Sequence, residues 1–453
     1  MHHAISPLDG RYAAKLKQHA DYFSEKALMY YRCKLELLYV LALDKTALFE
    51  TLNEQEKENI KDCIDNFSEA DYQAIKEIER TTNHDIKACE VFLRTRIGLR
   101  NVHLLHFGLT SEDANNLAYT FMLQAYWKEV QLPQLEQLLE QLITLATQWK
   151  NIPFPTRTHG QKASPSTAGK EIAVFLNRLT KMYAALKTFQ FAGKINGAVG
   201  NYSASLAAFP DFDWLHFSHA FLEAQDLEPN LATTQIEDHD RWATYFNWTR
   251  QINNIVLDLD VDCWLYISQG LFVESVQAGE VGSSTMPHKV NPINFENSEG
   301  NLMLSNSLLT LMSDKLCRSR MQRDLSDSTV KRNIGVALSH AYLAIAETTK
   351  GLKKLKINED LCRKELEESP ELLTEPIQTI LKTVGVEDPY TLLKNVARGQ
   401  KPTREMLLEL VNKLDIPNAT KQQIAALQTV NYVGDASRIA DLVIVNAQKV
   451  LAR

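Results

Sequence analysis

Residues 241–269 read RWATYFNWTRQINNIVLDLDVDCWLYISQ, a run with neither glycine nor proline. At 1.5 Å per residue it predicts a helix of about 40 Å. Ile252, Ile255, Val256, Leu259, Cys263, Tyr266 and Ile267 recur at three- and four-residue spacing, the period of a helix face and not of a strand. The same pattern extends outward along the chain. In QLPQLEQLLEQLITLATQWK (131–150), Leu135, Leu138, Leu139, Leu142, Leu145 and Trp149 form one stripe, and Pro133 suits a first helical turn. Residues 168–190 and 336–350 continue the period, and 301–334 again lack both breakers, which predicts another long helix.

Helices this long imply a coiled coil, a membrane span or a bundle. No apolar run reaches the ~18 residues that a membrane helix needs, and charges interrupt any sustained heptad. An all-α long-helix bundle is therefore predicted. The chain has 17 glycines and 14 prolines in 453 residues, well under the ~12% of average usage. Before about residue 100 the helical patches are shorter and more polar. After about residue 352 prolines return at positions 370, 376, 389, 402 and 417. Three helical domains are expected: an N-terminal one at 1–104, a central bundle at 105–352 and a C-terminal one at 353–453. Long helices bury only one stripe within their own bundle, so a homo-oligomer is expected.

A net charge of -7 with 45% hydrophobic and 23% charged residues fits a soluble globular protein and argues against a nucleic-acid surface. The opening MHHAISPLDGRY lacks the layout of a signal peptide. The six cysteines show neither CxxC nor zinc-knuckle spacing, as expected of reduced thiols in a cytoplasm. No nucleotide-cradling glycine motif occurs, so neither ATP nor NAD is implied. His103 and His106 lack a third ligand at metal spacing. Lys170 and Lys194 have no surroundings that mark a Schiff-base lysine. Acidic helix-start decoration is expected around His239 in EDHD.

One polar run breaks the helical pattern: GEVGSSTMPHKVNPINFENSEGN at 279–301. Gly279 and Gly282 permit unusual backbone conformations, and Pro287 and Pro292 restrain the backbone beyond them. Such a run is a polar connector, or a nest of N–H groups that grips an anion and activates Ser283 or Ser284 beside Lys289. Its wording resembles the signature loop of the fumarase/aspartase superfamily. SPLDGRY (6–12), ERTTNHDIKA (79–88), HFGLTSEDANN (106–116), TRTHGQKASPSTAGKE (156–171), GKINGAVGNY (193–202), TTQIEDHD (233–240) and QRDLSDSTVKRN (322–333) are similar to the adenylosuccinate lyase family in its bacterial form.

That resemblance implies an all-α homotetramer with active sites shared between subunits. It also implies β-elimination of fumarate from succinyl-AMP and from the succinylated aminoimidazole carboxamide ribotide of purine synthesis, with no cofactor. By the same resemblance Ser283 is the base, although the residues alone do not rank it against Ser284. His159 is the general acid with Glu296 as its partner, and His84 remains its rival. Ser284, Lys289 and Asn291 serve the carboxylate end, as do Thr110 and Ser111, while Gln235, Val290 and Asn297 are further substrate contacts. Arg11 and Tyr12 are further nucleotide contacts, and Asn83, His84 and Asp85 line the site, with His84 close to the phosphate or the carboxylates. Arg323, Ser328, Thr329 and Arg332 form the phosphate end, with Val330 and Lys331 beside them as further substrate contacts.

Each has a plainer alternative. Thr81, Thr82 and Asn83 are good helix caps with Asp85 in a first turn, and Thr110 caps a helix that Glu112 and Asp113 decorate. Residues 315–332, KLCRSRMQRDLSDSTVKR, can be a solvated basic face. Argininosuccinate lyase and a non-catalytic structural relative, as in lens crystallin, are the alternative readings of the whole.

Overall fold

The computed structural model describes residues 3–275, 290–396 and 401–452. The segment 276–289, with Ser283, Ser284 and Lys289, lies outside the described residues. Sustained helical period becomes helix at Asp240–Ser268, 29 residues long. Gly270, at φ +75, ends it in the left-handed conformation that glycine adopts without a Cβ penalty. The backbone N–H of Leu271 then closes onto the Tyr266 carbonyl at 3.0 Å. Trp242, Tyr245, Phe246, Val256 and Leu259 on this helix are all buried.

Leu132–Trp149 is helical as the leucine stripe predicts, but it does not start from a loop. A π-helical turn, Trp127–Gln131, joins it to Ser111–Tyr126. Pro133 has no N–H for the usual bond, and its ring crowds the carbonyl four residues back. A widened turn just ahead of it is where a helix relieves that conflict.

The run 301–334 departs from its expectation. Helix Ile293–Leu316 stops, a six-residue helix follows at Ser326–Lys331, and Ile334–Lys354 comes after it. Local polar side chains outcompete the helix ladder here. The Asp324 carboxylate accepts from the backbone N–H groups of Arg320 (2.9 Å) and Ser326 (2.7 Å). Lys315 Nζ donates to the Arg318 carbonyl at 2.8 Å, and Met321 sits at φ +50.

The chain forms two compact units interleaved along the sequence. The first comprises Met1–Leu135, Ala185–Asn254 and Gly300–Ala344. In it, helix Glu25–Asp44 packs against both Asp85–Ile97 and Ser111–Tyr126. The second comprises Glu136–Ala184, Ile255–Glu299 and Ile345–Arg453. Its short C-terminal helices, between the returning prolines, close over Leu373, Ile377, Leu381, Leu393, Leu407, Val411 and Ile424. Among the described residues the strands are two or three residues long and pair only in two-stranded ribbons. No described helix is long and apolar enough to cross a membrane.

Candidate functional site

Within the first unit, a cavity of about 320 Å³ collects residues from segments far apart in sequence. Its walls include His84, Asp85, Thr110, Ser111 and Gln235, together with Arg323, Ser328, Lys331 and Arg332. Arg32, Glu112, Asn115 and Tyr119 complete the polar lining, and none of these four stands out in sequence as a ligand.

The first turn of helix Ser111–Tyr126 organises this lining. Thr110 precedes it in extended conformation, and its backbone N–H donates to Asp113 Oδ2 at 2.9 Å. Glu112 and Asp113 are not surface decoration, being 1% and 0% exposed. Asp113 pairs with the fully buried ammonium of Lys194 at 3.0 Å and accepts the Gly197 N–H at 3.1 Å. Burial raises the Asp113 carboxyl above its usual range, and Lys194 only partly offsets this. Lys194, which looks unremarkable in sequence, therefore fixes the loop 194–197. From that loop Asn196 Nδ2 donates to Thr233 Oγ1 at 2.9 Å, and Gln235 Nε2 donates to the Ala198 carbonyl at 3.1 Å.

Glu112 engages the basic segment, accepting from Arg323 Nη1 and, at 2.8 Å, from Lys331 Nζ. Asp327 holds the same ammonium at 2.7 Å. Burial works against a charged Lys331, but Glu112 and Asp327 outweigh it and hold its pKa above the ordinary value. The solvated-face reading of this segment fails at Lys331, which is 3% exposed. Arg332 is exposed and makes no ion pair with a described carboxylate.

The other wall comes from His84 and Asp85. Helix Glu69–Thr82 ends at Asn83, which is left-handed at φ +50. His84 itself caps the next helix, its Nδ1 accepting the Lys87 N–H at 3.3 Å. The cap is thus the histidine and not Thr81, Thr82 or Asn83, because the chain reverses at Asn83. Asp85 Oδ2 meets Arg32 Nη2 at 2.8 Å. Arg32 Nη2 also reaches Asn115 Oδ1 at 2.8 Å. Burial pushes the Asp85 carboxyl up, and the Arg32 guanidinium more than reverses this, leaving it below the usual range. His239 lies fully buried with its ring edge-on to Trp242 at 4.2 Å. Burial, then the charges of Lys331 and Arg323, keep this imidazole neutral.

Arg11 is exposed and is not among the cavity walls. Tyr12 packs with Leu8, Leu16 and Leu343. Thr329 is exposed and Val330 half-buried on the Ser326–Lys331 helix.

His159 belongs to the second unit. It sits at the tip of a hairpin pairing Arg157 with Lys162 and Thr158 with Gln161. His159 and Gly160 have φ of +53 and +73, the double left-handed geometry of a two-residue hairpin turn. Both strands are anchored through one short segment. Arg157 Nη2 reaches Glu365 Oε2 at 2.8 Å, and Lys162 Nζ reaches Ser369 Oγ at 2.9 Å. The exposed imidazole makes no hydrogen bond to a described residue. Glu296 lies in the first turn of helix Ile293–Leu316 and accepts the Trp264 indole N–H at 3.1 Å. Asn291, Asn297 and the exposed Val290 flank it.

Comparison with known proteins gives a consistent result. Residues 10–306 match a family described as lyase, and 319–433 match one described as adenylosuccinate lyase C-terminal. An adenylosuccinate lyase of Haemophilus influenzae is 44% identical over 446 residues, covering 97% of this chain and 98% of that protein. Those of Escherichia coli K12 and Vibrio cholerae are each 43% identical, again over 97% of this chain and 98% of theirs. Among solved structures, a fumarate lyase from Mesorhizobium sp. superposes with TM-score 0.76 at 16% identity, covering 94% of this chain and 97% of its own. A 3-carboxy-cis,cis-muconate lactonizing enzyme from Pseudomonas putida gives 0.76 at 18%, covering 96% and 97%. At those identities the likeness speaks for the fold.

Proposed function

The chain belongs to the adenylosuccinate lyase family of the fumarase/aspartase superfamily, and from that premise we propose how its residues divide the work. It is a carbon–nitrogen lyase acting on succinyl-AMP, giving AMP and fumarate, and on the succinylated aminoimidazole carboxamide ribotide. The observation that carries this reading is the cavity of the first unit. There Arg323, Ser328 and Arg332 stand with Thr110, Ser111, His84 and Gln235. A substrate with a phosphate at one end and a dicarboxylate at the other needs two anion sites in one pocket. Guanidinium groups suit the phosphate, and a helix start with hydroxyl side chains suits the carboxylates.

Elimination requires a base at the succinyl Cβ–H, donors for the charge that spreads into the adjacent carboxylate, and an acid for the departing nitrogen. Ser283 takes the proton, with Lys289, Ser284, Asn291 and Asn297 around the carboxylate. The electron pair forms the fumarate double bond as C–N breaks, and His159 protonates the nitrogen, with Glu296 behind it. The hairpin tip offers an imidazole with no hydrogen bond to a described residue, which suits an acid that completes its contacts on substrate. Asn83, Asp85, Arg11 and Tyr12 complete the nucleotide contacts.

The working form is a homotetramer in the cytoplasm whose sites combine residues of different copies, built on three domains at 1–104, 105–352 and 353–453. Exposed Met303, Leu304 and Leu311 on the Ile293–Leu316 helix favour association. Incubation of the protein with succinyl-AMP is expected to release fumarate; none from the intact chain would sink this reading. Ser283→Ala and His159→Ala are each expected to lower kcat by about 10² or more. Near-normal turnover in either would move that role elsewhere.

A further inference from the structure

We infer that Glu112 is a positioning residue that aims Arg323 at the phosphate of the substrate. The inference rests on the nucleotide reading above and goes beyond it, because Glu112 belongs to neither anion site's ligand set. Its carboxylate is 1% exposed and divided between two cations. Oε1 accepts from Lys331 Nζ at 2.8 Å, and Oε2 accepts from Arg323 Nη1.

These two partners are not equivalent. Lys331 has a second carboxylate, Asp327 at 2.7 Å, and both lie buried. Lys331 therefore keeps a carboxylate partner when Glu112 loses its charge. Arg323 has no second carboxylate among the described residues, and it is 18% exposed on the cavity wall. One arm of its fork is tied to Glu112, and its remaining N–H groups make no hydrogen bond to a described residue. A guanidinium held at one edge and open at the other is preorganised for a bidentate oxyanion.

Covalent geometry adds a second consequence. Glu112 directly follows Ser111, the first residue of its helix. The turn that presents Thr110 and Ser111 to the dicarboxylate thus also fixes the direction of Arg323. The spacing of the two anion sites is set by one helical turn, and a substrate charged at both ends is measured against it.

Two physical effects of Glu112 oppose each other and give the test its sign. As a bare negative charge it weakens binding of any anion nearby. As an anchor for Arg323 it strengthens binding of the phosphate end alone. Glu112→Gln keeps the shape and removes the charge. Losing a charge-assisted anchor is expected to weaken AMP, measured by calorimetry, and raise KM for succinyl-AMP, each about tenfold. Inhibition by fumarate and kcat are expected to stay within about twofold, since Thr110 and Ser111 keep their places. Glu112→Asp, which keeps the charge, is expected to recover most of the AMP affinity. In an Arg323→Lys background, Glu112→Gln is expected to add less than about twofold.

Tighter AMP binding in Glu112→Gln would overturn the inference, showing a plain charge effect. Equal losses for AMP and fumarate, or full additivity with Arg323→Lys, would overturn it too. The AMP titration is independent of turnover. Absence of fumarate from the wild-type chain would therefore remove the lyase reading while leaving the role of Glu112 to be judged by binding.

Discussion

Glu237 shows how a buried acid makes stability depend on pH. Its carboxyl is pushed up from the ordinary 4.5 to about 7, chiefly by burial and then by the charge of Asp238. Asn230 Nδ2 and the His239 N–H donate to its two oxygens at 2.7 Å each, and these bonds favour the anion without reversing the shift. The folded protein therefore holds a proton that the unfolded chain has released. Its stabilising share is complete below about pH 4.5 and fades as pH rises through about 7. Glu237→Gln removes that titration. Melting temperatures of this variant and the wild type are expected to draw apart as pH rises toward about 7, because only the wild type loses this contribution, and to run parallel above it. Curves parallel throughout would show that Glu237 titrates normally. In sequence, Glu237 and His239 read as polar decoration of a helix start. Burial reverses that reading, because neither residue type nor spacing reports which side of a turn faces the interior.

Secondary structure was far more legible than side-chain environment. The period of 241–269 predicts Asp240–Ser268 almost to the residue, since a continuous apolar stripe leaves a helix few alternatives. The break inside 301–334 was hidden because no glycine or proline announces it. It arises from Asp324, Ser319 and Lys315 binding local backbone, chemistry that a breaker count does not register. At the site, sequence motifs single out Thr110, Ser111, His84, Gln235, Arg323, Ser328, Lys331 and Arg332, and these do share one cavity. Arg32 and Glu112 escape notice, since their importance depends on partners 53 and more than 200 positions away. The contact between helices Leu132–Trp149 and Ala168–Lys187 gives a further test. A Cβ on Gly169 would stand 2.4 Å from the Lys150 nitrogen and 2.5 Å from the Ala146 carbonyl oxygen. Both obstacles are backbone and cannot rotate away. Gly169→Ala is expected to lower unfolding stability by about 1–3 kcal/mol through overpacking. Unchanged denaturant midpoints would mean that the two helices are free to slide apart.

Assembly decides whether the proposed chemistry can occur. The cavity with the proposed phosphate and carboxylate ligands belongs to one compact unit, and His159 and Glu296 belong to the other. The exposed apolar positions Leu304 and Leu311 are one heptad apart on a single helix, a spacing that suits helix-to-helix contact between copies. If sites draw Ser283 and His159 from different protomers, two separately inactive variants repair each other. Mixing Ser283→Ala with His159→Ala in equal amounts, with subunit exchange, gives each site an even chance of an intact serine and an independent even chance of an intact histidine. About one quarter of sites are then complete, so activity is expected to climb from near zero toward about a quarter of wild type. Exchange is verified separately by the appearance of mixed oligomers carrying both a tagged and an untagged variant. Mixed oligomers without recovered fumarate production would place both residues in the same protomer's site. Substituting Leu304 and Leu311 by Glu is expected to prevent the recovery and the oligomer together, because buried like charges at a helix contact oppose association. Recovery that survives dissociation would break the link between the helix face and the shared site.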